Sequence, residues 1–166
     1  NGSTDETARV AIDNGARVLK EPKKGYGAAC LKGIEGLDAP DIVVFLDGDF
    51  SDFPEEIVSL IEPIEKEDKD FVIGSRMILP KSRASLLPQA RYGNQLAVFL
   101  IKLFFKHTYT DLGPFRAIRY NSLMSIGMQD TNFGWTVEMQ IKAIKRGLRI
   151  IEVPVNYRER VGISKI

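Results

Sequence analysis

Two carboxylates separated by one glycine, Asp47-Gly48-Asp49, follow directly on the apolar run Ile42-Val43-Val44-Phe45-Leu46. Such a run fits a strand buried on both faces of a parallel sheet. Both aspartates then sit at the carboxyl edge of the sheet, where open α/β sheets bind ligands. Two acidic groups at this spacing can share a hard cation, and Mg2+ or Mn2+ held there would bridge to phosphate oxygens. The same tripeptide also serves as an ordinary polar turn. Its position at the end of an apolar strand is what favours chemistry.

Lys23-Lys24-Gly25-Tyr26-Gly27 precedes an Ala-rich stretch. A Gly-rich loop before a helix offers backbone donors and the positive helix end to an anion. It matches neither the Walker pattern nor G-x-G-x-x-G, and taken alone it is better explained as an exposed turn. Arg76 follows a further apolar run, Arg116 and Arg119 lie near Asp111, and Arg158, Arg160 and Lys165 cluster near the end. Isolated arginines are usually solvated, but several at strand ends around one acidic pair suit a phosphorylated substrate. The single histidine, His107, suits surface or capping duty, and no Ser-His-Asp triad is supported. Trp135 and Glu138 are either structural or turned toward an acceptor.

The elements that must position these groups alternate in the first half. Ser3 and Glu6 have the spacing of a capping box, which predicts a helix to about Asn14 stopped by Gly15. Strand 16–20, helix 27–36, strand 41–46, helix 54–66 opened by Pro54, and strand 70–74 follow, a pattern that implies a parallel sheet with helices on its faces. In the second half, 77–87 reads as a basic loop and 89–106 as a helix. Residues 111–119 turn at Gly113-Pro114 and then extend; 134–146 is a helix, and 148–157 a strand that Pro154 assigns to an edge or a strand start. The apolar stretch 96–105 is too short to span a bilayer. A core helix explains it, and its basic flanks Arg91, Lys102 and Lys106 also fit a helix in a membrane interface.

The chain has 166 residues, 44% hydrophobic and 27% charged, which predicts one folded domain. Its net charge of +1 argues against a nucleic-acid binder. One cysteine, Cys30, excludes an internal disulfide and a cysteine-rich zinc site, and is read as a core residue. No leader pattern is present, and Asn1-Gly2-Ser3-Thr4-Asp5, without an initiator Met, reads as the middle of a motif, so a fragment is expected. Nothing in the sequence sets an oligomeric state.

In order along the chain stand Asn1-Gly2-Ser3-Thr4-Asp5, Lys24-Gly25-Tyr26-Gly27-Ala28, Asp47-Gly48-Asp49, Gly74-Ser75-Arg76, Thr110-Asp111-Leu112-Gly113-Pro114-Phe115-Arg116, Trp135-Thr136-Val137-Glu138-Met139, Glu152-Val153-Pro154-Val155 and Ser164-Lys165. This series resembles the family 2 inverting glycosyltransferases of the GT-A fold, and within them the polyprenyl- and dolichyl-phosphate sugar synthases. The resemblance implies an α/β, Rossmann-like, mostly parallel sheet with helices on both faces, lacking the family's first strand and its Pro-x-x-Asn-Glu motif. It implies a single domain over 1–166, with a nucleotide-binding part to about 76 and an acceptor-binding part from about 77. Asp47 and Asp49 would hold Mg2+ or Mn2+ and the nucleotide diphosphate, with Lys24 and Gly25 near the nucleotide. Arg76, Asp111 and Arg116 would line the sugar and acceptor site, and Arg158, Arg160, Ser164 and Lys165 would hold the acceptor phosphate. Ser51 stands where such synthases often carry Gln, and the Thr110–Arg116 segment is one residue shorter than their T-D-x-T-G-S-F-R.

The implied reaction moves a sugar from a UDP- or GDP-linked donor to a polyprenyl phosphate, at the cytoplasmic face of a membrane, with helix 96–105 near the lipid. An anionic phosphate acceptor needs no general base. With a hydroxyl acceptor, Asp111 would be the base. A transferase acting on a saccharide or small-molecule hydroxyl, a nucleotidyltransferase with similar metal chemistry, and an inactive truncated domain are the competing expectations.

Overall fold

The structure, a computed structural model, describes residues 2–161. Helix α1 (Thr7–Asp13) and α2 (Tyr26–Glu35) precede β1 (Ile42–Phe45); a 3-10 turn (Pro54–Glu56) leads into α3 (Ile57–Lys66), then β2 (Phe71–Ser75). Next come α4 (Pro80–Ala84), α5 (Pro88–Phe105), β3 (Arg116–Arg119), α6 (Tyr120–Ile126), α7 (Trp135–Lys145) and β4 (Ile150–Pro154).

The strands pair in the order β1-β3-β2-β4. β3 runs antiparallel to both neighbours, with Phe45 opposite Arg116 and Phe71 opposite Ile118, while β4 runs parallel to β2 with Ser75 opposite Pro154. Three of the four strands therefore point the same way, and their carboxyl ends, at Phe45, Ser75 and Pro154, share one edge. β2 is buried at all five positions. Its alternation divides the core: Phe71 and Ile73 face Trp135, Met139, Leu123 and Ile101, whereas Val72 joins Leu60, Ile64, Phe115 and Val155 on the other face. Helices thus cover both sides of the sheet.

Several local expectations change. The capping box does not form: Asp5 Oδ1 accepts the Thr7 amide at 3.1 Å, and Glu6 makes no side-chain cap. Gly15 does end α1, at φ 83°. Residues 16–20 are extended but join no ladder, because a strand needs a neighbour to take its amides and carbonyls, and none lies beside them among the described residues. The basic loop 77–87 contains α4, and α6 was not foreseen. Pro154 falls at the end of an edge strand, as its missing N–H requires.

Candidate active site

The acidic turn lies where the apolar run predicts, at the carboxyl end of β1. Ser51, fully buried, donates its amide (3.1 Å) and its hydroxyl to Asp49 Oδ1. Asp52, 2% exposed, accepts the Asp47 amide on Oδ2 at 3.3 Å, while its Oδ1 has no partner. The Tyr26 hydroxyl lies beside Asp47, and Arg160 Nε stands 3.6 Å from Asp49 Oδ2. Burial pushes the Asp47 carboxyl up, and the Asp49 charge adds to it, against the pull of Tyr26, Arg76 and Arg160. Each carboxylate therefore lies within reach of the other's charge and of Arg160. Burial also raises Asp52, to about 6.

The second half of the site is a buried ion pair. Asp111, with no exposed surface, accepts the Arg76 amide and Nε on Oδ2, each at 2.8 Å, and Arg76 Nη2 on Oδ1 at 2.9 Å. Burial alone would lower the Arg76 guanidinium, but the bonds to Asp111 outweigh it and push it up. Four elements fix this pair. Glu152 of β4 accepts the amides of Thr110 and Asp111, and its carboxyl is raised by burial against the pull of those donors. Asn94 of α5 donates to the Thr110 carbonyl and accepts the Leu112 amide. Gln140 of α7 donates to the Asp111 carbonyl, and Ser75 of β2 bonds the Thr110 hydroxyl at 2.7 Å. Gly113 is needed here because a Cβ would meet the Gly74 carbonyl oxygen at 2.7 Å.

One sequence expectation is corrected, and two that were left open are decided. Arg116 has no exposed surface; its guanidinium donates to the Gly113, Leu112 and Thr136 carbonyls and lies under Phe71, so it braces the segment behind Asp111 instead of lining the cleft. Burial pulls its pKa down to about 10. The amino end of α2 offers no free cradle to an anion, because the Gly27 and Ala28 amides donate to the Asn132 and Thr131 carbonyls at 3.1 and 2.9 Å. Glu138 accepts the Gln129 and Asp130 amides and pairs with Lys142, so it holds that loop and does not face an acceptor. Gly25 packs against the same loop, at φ 141°, while Lys24 is exposed. Tyr26 is the residue of that loop that reaches the acidic turn. Ser164 and Lys165 lie outside the described residues.

Arg158 lies 3.3 Å over the Phe50 ring and 4.2 Å from that of Phe53, so it clamps the acidic turn. Arg160, Arg76 (5.1 Å over the Tyr157 ring), Leu86, Leu87 and Ala90 border a cleft of about 280 Å3 at the head of α5. A second hollow, of about 260 Å3, is bordered by Tyr26, Cys30, Phe45 and Asp47. A larger cavity, about 620 Å3, lies between α1 and residues 18–22, and none of the acidic turn lines it.

Among the described residues, no three His, Cys, Asp or Glu side chains converge on a metal position. The donor set is two hard carboxylates, which suits Mg2+ or Mn2+ when further oxygens come from a ligand such as a diphosphate. An α/β sheet with an acidic turn at its carboxyl edge, flanked by arginines, defines the class of GT-A proteins. The Glycosyl transferase family 2 profile matches residues 1–127, and the chain belongs to that family. It is 33% identical over 170 residues to a dolichyl-phosphate hexose transferase of Haloferax volcanii, covering all of this chain and 71% of that one. It is 32% identical to an undecaprenyl-phosphate mannosyltransferase of Micrococcus luteus, covering 95% and 68%. Among solved structures, glucosyl-3-phosphoglycerate synthase of Mycobacterium tuberculosis with phosphoglyceric acid superposes with a TM-score of 0.77 at 22% identity, over 98% of this chain. The chain spans 59% of that protein's length.

Proposed function

We propose that this chain is the donor- and acceptor-binding unit of an inverting glycosyltransferase that moves a sugar from a UDP- or GDP-linked donor to a polyprenyl phosphate. The observation that carries the reading is Arg160, whose Nε stands 3.6 Å from Asp49 Oδ2 while the same residue borders the Arg76 cleft. Asp47 and Asp49 would hold Mg2+ or Mn2+; the glucosyl-3-phosphoglycerate synthase of similar fold was crystallised in complex with Mn2+ and UDP-glucose. When bound, the ion supplies charge neutralisation for the leaving diphosphate. Tyr26 orients Asp47, and Ser51 orients Asp49. Lys24 and Gly25 lie on the nucleotide side. Arg76, Arg158 and Arg160, with Ser164 and Lys165, position the acceptor phosphate in line with the anomeric carbon. Residues 1–76 form the donor part and 77–166 the acceptor part.

The state of Asp111 favours a phosphate acceptor over a hydroxyl. Both of its oxygens are taken by Arg76, so a base there would first have to break a buried ion pair. A phosphate oxygen attacks without one. The two relatives named above carry lipid phosphates in their names. Among the described residues no helix is long and apolar enough to cross a membrane. The exposed apolar face of α5 instead suits peripheral contact with the cytoplasmic leaflet.

The test is transfer of labelled sugar from UDP- and GDP-linked donors to polyprenyl phosphate by the complete protein. A chloroform-extractable product is expected, and Asp49→Ala should lower turnover at least a hundredfold, as for loss of a major charge-stabilising group. A water-soluble product alone would reassign the acceptor, and full metal-dependent turnover by Asp49→Ala would remove the metal assignment.

A further inference from the structure

The segment leaving β4 is tied across the acidic turn. Ser82, buried on α4, donates to the Val155 carbonyl and accepts the Tyr157 amide. The Asn156 amide donates to Glu56. The Arg158 amide then donates to the Ser51 carbonyl at 3.1 Å, and the Val161 amide to the Asp49 carbonyl at 3.0 Å. These bonds, with Arg158 stacked on Phe50 and Phe53, hold the two residues between them, Glu159 and Arg160. Arg160 Nε lies 3.6 Å from Asp49 Oδ2, and its charge also reaches Asp47.

One guanidinium therefore partly neutralises both carboxylates that would hold a divalent ion. Resting on the reading of Asp47 and Asp49 as a metal site, we propose that Arg160 is the resident counter-cation of the acidic turn and competes with the divalent ion for Asp49. Two positive groups on one carboxylate repel each other, so loading the ion loosens Arg160 from Asp49. Arg160 also borders the cleft that holds Arg76. Once loosened, its guanidinium faces that cleft, where a phosphate would take it up. Linkage makes the competition reciprocal, since whatever factor Arg160 costs the ion, the ion costs the strap.

The pair is part exposed, with side chains 36% and 28% accessible, so the coupling is modest. Mn2+ titrated by calorimetry into the nucleotide-free protein should bind Arg160→Gln about two- to fivefold more tightly than wild type. Arg160→Lys should stay near wild type, and Asp49→Asn should lose the binding. In a parallel Mg2+ titration, the Arg160 Nε nitrogen resonance should shift with the midpoint measured for the ion, a change that a merely structural arginine would not make. Equal Mn2+ affinities for wild type and Arg160→Gln, or an unmoved Nε resonance, overturn the competition while the metal site stands. If neither wild type nor Arg160→Gln binds Mn2+, the metal reading fails and the competition falls with it.

Discussion

Arg76 and Asp111 form the strongest single contact of the site, three hydrogen bonds between groups that are 14% and 0% exposed. Removing one partner leaves a desolvated charge. Arg76→Ala should therefore cost about 3–5 kcal/mol in urea unfolding, and a loss under 1 kcal/mol would mean that water screens the pair. Asp52 gives a pH signature. Burial lifts its carboxyl from 3.8 to about 6, against the hydrogen bond from the Asp47 amide and the Arg76 charge, while the Asp47 and Asp49 charges add to the lift. The folded chain then holds a proton that the unfolded chain releases between those values. Stability of the metal-free protein should fall as pH rises from about 4 to 6, by on the order of 2 kcal/mol from this group. Asp52→Asn keeps an acceptor for the Asp47 amide and should remove that slope; an unchanged slope would assign it to another group. Asp47, Asp49 and Arg76 were legible in the sequence because each follows an apolar run, and Asp111 only through the family motif that Thr110–Arg116 resembles. Asp52, Asn94, Gln140 and Glu152 were not, because their partners lie far away in the chain or, for Asp52, depend on how the turn folds back. Arg116 was legible as a motif residue and illegible as a buried brace.

At the scale of elements, composition located most helices and strands but not what their ends do. The amino end of α2 has the glycines of an anion loop, yet it is occupied by the 130–132 segment. The deciding partner is a hundred residues away, so no local pattern records it. Residues 16–20 have strand composition without a strand neighbour, and α6 is only seven residues long, below what helical periodicity resolves. Leu123 and Ile126 at i, i+3 before Gly127 were its available signal. The close approach at α2 is testable. A Cβ on Gly27 would lie 2.1 Å from the Asp130 carbonyl oxygen, a backbone atom that cannot rotate away. Gly27→Ala should destabilise by at least about 2 kcal/mol in thermal unfolding even though alanine is the better helix former. A stabilised variant would show that α2 and the 130–132 loop do not touch in solution.

Across the whole molecule the charge is nearly balanced, at +1, but it is not evenly placed. From Asp70 to Asp111 the chain has no acidic residue between the two, while Arg76, Lys81, Arg83, Arg91, Lys102 and Lys106 all fall there. The same stretch carries α5, on which Tyr92, Leu96, Phe99 and Leu103 recur at intervals of four, three and four and are 73%, 60%, 59% and 58% exposed. An apolar stripe with basic flanks at the head of a cleft lined by Arg76 fits an anionic lipid surface. Each cation near such a surface adds about 1 kcal/mol, on top of the buried apolar area. The protein should therefore sediment with phosphatidylglycerol vesicles more strongly than with phosphatidylcholine vesicles, and salt should weaken the difference as it screens the cations. Leu96→Glu with Phe99→Glu should abolish sedimentation while moving stability by less than about 1 kcal/mol, since both side chains already face solvent. Equal binding to the two lipids would remove the role of the acid-free stretch, and sedimentation that survives the double substitution would move the membrane contact off α5.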